Sequence, residues 1–380
     1  MGGIGAFIKN IIKKVDPILF GATAFLSLMS LLTIFGAMEN FGRSKLVMQA
    51  AMTVLGTVLM VIIANLDYKF FIDRFCIIML VASAVLLLLT LILGISGENM
   101  DTANRSWLRL WPGGPMIQPS EFVKITFVCT FAKHIETVKE RINKPLTLLG
   151  VLAHAGLIVG LILASGDLGV SLVYIGIIAV MLFCSGLSLW YFLGFIGIAV
   201  LAAPFLWDFL APYQQNRIIY GFNPELDPFG YGMQPLMSVD AISQGGFFGK
   251  VFREGFFCGG VYEDLAASHT DFIFATVCEK FGFLGGALVL TAIAVIVVRI
   301  IFIALSCSDT AGRLVCCGIS AIFILQTLEN IGMCMALIPV VGITLPFMSA
   351  GGSSMLALYI IVGLVHSIRA KEKRFYFKGI

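Results

Sequence analysis

Apolar residues run along this chain in blocks too long for the helices of a globular core. Crossing a bilayer takes about 20 apolar residues in a helix. Ten blocks of that order can be laid out, at roughly 17–36, 46–65, 76–96, 119–135, 146–164, 168–185, 188–207, 271–303, 314–335 and 350–368. The pattern predicts an all-α polytopic membrane protein with about ten transmembrane helices, one domain over residues 1–380. The eighth block is long enough to tilt or to project from the bilayer. Polar residues gather in two places between the blocks. One is the segment 101–124; the other is a large loop at about 208–270, between helices 7 and 8. A loop of roughly 60 residues far exceeds the usual few and is expected to be functional or partly structured.

Composition supports that class. Of the 380 residues 59% are hydrophobic and 12% charged, and the mean hydropathy is +0.99. A soluble domain cannot hide so much apolar surface. The start of the chain lacks the n-region, short h-region and small-residue cleavage site of a cleavable signal. MGGIGA also lacks the Ser or Thr of a myristoylation site. The nine cysteines form no CxxC pair and no metal-ligand cluster with His. Only Cys258 clearly falls in an external loop, so no internal disulfide is expected.

Lysine and arginine fix the expected orientation. Lys9, Lys13 and Lys14 precede the first block, and Arg369, Lys371, Lys373, Arg374 and Lys378 follow the last. Loops sharing that side carry Lys69, Arg74, Lys139, Arg141, Lys144 and Arg313. Both termini are therefore expected in the cytoplasm. The net charge of +3 reflects this bias and does not point to nucleic acid. On the opposite side, Arg105, Arg109, Arg217, Lys250 and Arg253 defy the bias and suit either an anionic partner or a solvated, headgroup-facing surface.

Candidate chemistry lies in those external segments. In QPSEFVK, Glu121 and Lys124 are three apart and can pair on one helix face. The pair is either a structural bridge at the interface or the border of a polar pocket. In SGDLG, Asp167 is placed to cap the following helix. Arg217 is the one cation among the aromatics and amides of 213–234, a mixture that suits a sugar phosphate or a packed loop. In SHTDFIFA, Ser268 and Asp271 have the spacing of a capping-box variant, with Thr270 as another cap. Against that stands a second reading, in which Asp271 is a partly desolvated general base. His269 either orients Asp271 or faces the interface. Glu279 and Lys280, about 12 Å deeper at 1.5 Å per residue, suggest a polar cavity. Glu329 and Asn330 are polar positions inside the ninth block. Two prolines and a Gly-Gly-Ser-Ser turn then break the path to the tenth.

Taken in order, W-x-x-x-W…IQPSEFVK, SGDLG, NP-x-x-DP-x-G-x-G, HTDFIFA-x-x-x-E-x-x-GF and P-x-x-GI-x-LPF-x-S-x-GGSS resemble the SEDS family of RodA, FtsW and SpoVE. The resemblance covers nearly the whole chain. It implies a ten-helix, inverting peptidoglycan glycosyltransferase that polymerises lipid II. It places the family's catalytic aspartate on Asp271, its loop tryptophan on Trp107, its acid–lysine pair on Glu121 and Lys124, and its loop arginine on Arg217. Asp167 matches the acid of the PDLG motif, with Gly166 in place of proline. Ala266 and Ala267 replace the usual Pro-Glu before Ser268, and Ala350 replaces a tyrosine. The implied partners are lipid II, the growing glycan strand, a class B penicillin-binding protein and the elongation or division machinery. No tightly bound cofactor is implied; a divalent cation such as Mg or Mn is the candidate aid to the leaving diphosphate. The implied location is the bacterial cytoplasmic membrane, with the active site on the extracytoplasmic face. A lipid II flippase is the alternative use of the same cavity.

Overall fold

The computed structural model describes residues 14–95, 105–109, 111, 113, 114 and 116–378. Lys9 and Lys13 lie outside the described residues. Ten long helices occupy the ten apolar blocks: α1 (Pro17–Gly36), α2 (Arg43–Asn65), α3 (Tyr68–Leu93), α4 (Pro119–Val138), α5 (Pro145–Ala164), α6 (Leu168–Cys184), α7 (Leu189–Phe209), α10 (Ile273–Leu305), α11 (Thr310–Cys334) and α12 (Gly352–Lys378). Seven of them are long and apolar enough to cross a bilayer, and α6 and α7 are shorter apolar helices. Helix α4 reads as more polar because Glu121, Lys124, Lys133 and Glu136 fall within its 20 residues. The chain is thus a multi-pass membrane protein.

The large loop is structured. It holds α8 (Pro212–Phe222) and α9 (Met233–Gly245), with single turns of helix at Val251–Glu254 and Val261–Glu263. The segment before α4 forms a two-stranded hairpin, β1 (Leu108–Arg109) against β2 (Met116–Ile117).

Local chemistry explains several helix starts. Asp16 caps α1 by accepting the amides of Ile18 and Leu19, both at 3.1 Å. Asp67 caps α3 through Lys69 N, and Asp309 caps α11 through Gly312 N. Helix α3 begins at Tyr68, eight residues before the apolar block at 76, because its charged first turns have partners elsewhere. Lys69 pairs with Asp309, and Asp73 pairs with Lys133 of α4 at 2.6 Å.

Two polar layers bracket the bundle. At one end Asp16, fully buried, takes Arg299 of α10 at 2.7 Å and Arg369 of α12 at 2.9 Å. At the other end the ammonium of Lys280 donates to the carbonyl of Gly36, the last residue of α1, at 2.9 Å. The 20 residues of α1 separate these layers by about 30 Å at 1.5 Å per residue, the thickness of a hydrocarbon core.

Helix α10 is two helices joined at Gly282, whose φ of 68° and ψ of −167° interrupt the ladder. That left-handed φ is open to glycine and strained for any other residue. The loop fills the gap: Gly246 O accepts from Phe283 N at 2.8 Å, and Phe247 O from Leu284 N at 3.1 Å. The freed amides are therefore satisfied by the loop and not by the helix.

Candidate active site

The turn before α10 is held at every carbonyl. Ala267, in the left-handed region at φ 55°, gives its carbonyl to the amides of Thr270 and Phe272 at 3.0 and 3.1 Å. Ser268 O accepts from the Thr276 hydroxyl at 2.9 Å, and His269 O from Ala350 N at 2.8 Å. Thr270 O accepts from the Ser349 hydroxyl at 2.6 Å, and Asp271 O from the Asn330 side chain at 2.7 Å. Asn330 is fully buried and donates a second bond to Ile343 O at 2.7 Å. Two elements supply most of these clamps. One is α11; the other is the irregular segment 335–351, broken by its prolines and stitched to the turn. Within that segment Phe347 also sits at φ 60°, a non-glycine conformation that costs on the order of 1–3 kcal/mol and persists only when packing enforces it. Its ring is enclosed by Phe323 and Tyr359 at 6.0 and 5.1 Å between centroids.

The carboxylate of Asp271 is left out of this web of backbone bonds. The N-cap of α10 is Phe272, and no side chain caps the helix. The expectation that Ser268, Thr270 or Asp271 forms a cap is therefore overturned. The left-handed turn at Ala267 carries the chain past the cap geometry, and Thr270 donates back to Ala267 O at 3.2 Å. Asp271 stays half-buried, with Gly342 of the irregular segment beside its Oδ2. Burial pushes its carboxyl up to about 6, against the opposing pull of Arg217 and the Thr270 hydroxyl.

Arg217 approaches on α8. That helix docks closely: a Cβ on Gly221 would lie 2.4 Å from the Cα of Pro339, so only glycine admits this contact. The charges nearest Arg217 include both Asp271 and Asp167.

Asp167 is the N-cap of α6, as expected. It accepts from Val170 N at 3.1 Å and from the Gln118 amide at 3.1 Å, and is 6% exposed. Burial raises its carboxyl above the usual range despite those two bonds. Glu121 and Lys124 form the expected pair at 2.8 Å and are both buried. Lys124 also lies near Glu329 of α11, which had no assigned role in the sequence; the Oε2 of Glu329 is buried without a hydrogen-bond partner. Trp107 bridges Ile95, its amide donating at 3.2 Å and its carbonyl accepting at 2.8 Å. Arg105 N ties this hairpin to Ser165 O beside Asp167 at 3.0 Å.

The structure thus brings Asp271, Arg217, Asp167, Glu121, Lys124 and Glu329 into one connected group of charges. It sets Glu279 apart. Fully buried, Glu279 takes Lys250 at 2.5 Å and the amides of Val261 and Tyr262 at 2.8 and 3.0 Å. Its neighbour Lys280 donates to Cys258 O at 3.0 Å and lies over the Tyr262 ring. These two charges fasten the loop. The ring of His269 packs on Phe41 at 5.3 Å between centroids.

Among the described residues no group of three or more His, Cys, Asp or Glu could hold a metal ion. Those residues do not fit a protein-only cage for a divalent cation.

Residues 14–374 match the family described as "Cell cycle protein", the group of FtsW, RodA and SpoVE. The chain is 36% identical over 323 residues to "Stage V sporulation protein E" of Bacillus subtilis strain 168, covering 83% of this chain and 84% of that protein. It is 34% identical over 348 residues to "Probable peptidoglycan glycosyltransferase FtsW" of Trichlorobacter lovleyi, covering 89% and 87%. A solved structure described as "Structural coordination of polymerization and crosslinking by a peptidoglycan synthase complex" superposes with a TM-score of 0.80 at 26% identity, covering 94% of this chain and 98% of that one.

Proposed function

This chain belongs to the FtsW, RodA and SpoVE family, and from that premise we infer that it is a peptidoglycan glycosyltransferase of bacterial cell-wall synthesis, polymerising lipid II into glycan strands. One observation carries the assignment of its chemistry to Asp271. The fold binds the backbone of residues 267–271 at every carbonyl, yet gives the Asp271 carboxylate no helix amide and leaves it within the electrostatic reach of Arg217.

The reaction follows from that placement. The acceptor is a sugar 4-hydroxyl, and the donor is a disaccharide linked through a diphosphate to a lipid. Asp271 takes the hydroxyl proton as the oxygen attacks the anomeric carbon. The bond from that carbon to the diphosphate breaks, and the lipid diphosphate leaves with the electron pair. Attack opposite the leaving group inverts the centre, turning an α-linked donor into a β-linked glycan. Arg217 offsets the negative charge on the departing diphosphate. Lys124, held by Glu121 and near Glu329, offers a second cation to substrate. Asp167 and Gln118 hold the loop that frames the site, and Trp107 presents an aromatic wall for a sugar.

The positive loops support an orientation with both termini in the cytoplasm and Asp271 facing outward. Lys14, Lys69, Lys139 and Lys371 all lie at the Asp16 end, donating to Asn65, Asp309, Thr310 and Asp67. The nascent glycan is external, so the site belongs on that face. A class B transpeptidase is the expected partner, in keeping with the polymerising and crosslinking complex that this fold resembles.

The test is a gel assay of labelled lipid II with detergent-purified protein and its transpeptidase, comparing wild type with Asp271→Asn. A glycan ladder from wild type alone supports Asp271 as the base. Equal ladders from both would remove that role.

A further inference from the structure

We propose that the loop segment around residues 246–257 is a membrane wedge: its phenylalanines enter the leaflet on the Asp271 side, and Arg253 takes an anionic phospholipid headgroup. Calling that leaflet the outer one rests on the orientation proposed above; the wedge itself does not.

Depth comes from the two polar layers. Lys280 meets the end of α1, about 30 Å from the Asp16 layer, and so marks one boundary of the hydrocarbon. Phe283 opens the unbroken part of α10, 16 residues or about 24 Å from Arg299 of the Asp16 layer, and so lies on the hydrocarbon side of that boundary. It is 65% exposed and opens the lipid-facing side of α10, continued by Leu284, Leu288 and Val298. The loop is bolted to this point through the Gly246 and Phe247 carbonyls. The ring of Phe247 stacks on Phe283 at 5.8 Å between centroids, which brings the loop aromatics to the same depth.

The loop surface there is apolar and concave. Phe247, Phe248 and Phe252 are 58, 57 and 72% exposed and contact one another in edge-on pairs. With Arg253 they line a cavity of about 430 Å³, a size that suits an acyl chain and its glycerol. On the other flank Phe257, 55% exposed, packs on Phe35 near the end of α1, extending the aromatic band. Large aromatic rings with arginine at the bilayer edge are the composition of a membrane interface. Lys250 is already committed to Glu279, whereas Arg253 donates to Gln244 O at 2.6 Å and remains exposed. An exposed guanidinium above an apolar cleft fits a phosphate headgroup with its chain below.

The experiment places a tryptophan at the wedge, Phe248→Trp, in full-length protein reconstituted into vesicles, with the parent protein as background. The added emission is expected to be blue-shifted and to lose most of its intensity in phospholipid brominated high on its acyl chains. Brominated phosphatidylglycerol should quench more than brominated phosphatidylcholine, and Arg253→Gln should erase that preference. Red-shifted emission quenched by aqueous iodide would overturn the wedge and leave the cluster to a protein partner. Equal quenching by the two lipids before Arg253 is changed would overturn the headgroup site. Lipid quenching reads the same in either orientation of the chain, so its failure is separate from failure of the orientation.

Discussion

Asp167 and Asp271 stand at the entrances of two helices, and the fold uses them in opposite ways. Asp167 is the N-cap of α6, and its carboxylate takes a backbone amide and the Gln118 side chain. Its own carbonyl accepts the Ser171 hydroxyl at 2.7 Å. At Asp271 the backbone is anchored by Asn330, and the carboxylate is given no helix amide. A carboxylate with backbone donors is a structural part. One whose main chain is fixed while its oxygens take no helix amide is free to exchange a proton. The lesson is that the position of an acid relative to a helix does not decide its role; the accounting of its donors does.

The largest expected break in this comparison is Asp271→Asn. A general base contributes on the order of 10²–10⁴ in rate, so the ladder from labelled lipid II should fall by that much while the purified yield stays normal. Next comes Asn330→Ala, which strips the carbonyls of Asp271 and Ile343 of their shared amide donor and leaves Asp271 O only the weak Cys334 thiol at 3.8 Å. An orphaned buried carbonyl costs about 1–3 kcal/mol, and a drop in both polymerisation rate and thermal midpoint should be seen. If the rate is unmoved, the anchoring of Asp271 has no part in catalysis. The pH profile sharpens the contrast. A base at Asp271 would need its carboxylate ionised, and burial pushes that carboxyl up to about 6. The rate on limiting substrate should therefore be level above pH 6 and fall about tenfold per unit well below it. A flat profile through pH 5 would argue against Asp271 as the titrating base. The smallest effect belongs to Asp167→Asn, whose amide oxygen can still accept the Val170 amide; its activity should stay within severalfold of wild type. Asp167→Ala should lower stability by about 1 kcal/mol, the worth of a lost N-cap. A loss of activity in Asp167→Asn as large as that of Asp271→Asn would erase the distinction between the two acids.

Much of the fold was legible because lipid imposes one rule, a run of apolar residues long enough to cross. The exceptions are informative. Helix α3 starts well before its apolar block because Lys69 and Asp73 meet partners on α11 and α4, far away in sequence. The Glu121–Lys124 pair could be read from spacing alone, since both groups lie on one helix. The fastening role of Glu279 and Lys280 could not, because their partners lie 17 to 244 positions away. Ser268-x-x-Asp271 resembled a cap, but Ala267 turns left-handed, a choice that no alanine advertises. Asn330 stood out as a polar residue in an apolar run; that it would grip the backbone of Asp271 depended on how α11 packs.

The joint at Gly282 has a mechanical meaning. A continuous helix carries torque along its ladder of bonds, but here the ladder stops and its next two amides are pinned to the loop. The stub from Ile273 to Phe281, with Asp271 just ahead of it, is fastened to the same loop through Glu279 and Lys280. The loop is thus a bracket across the break, holding stub and shaft at one fixed angle.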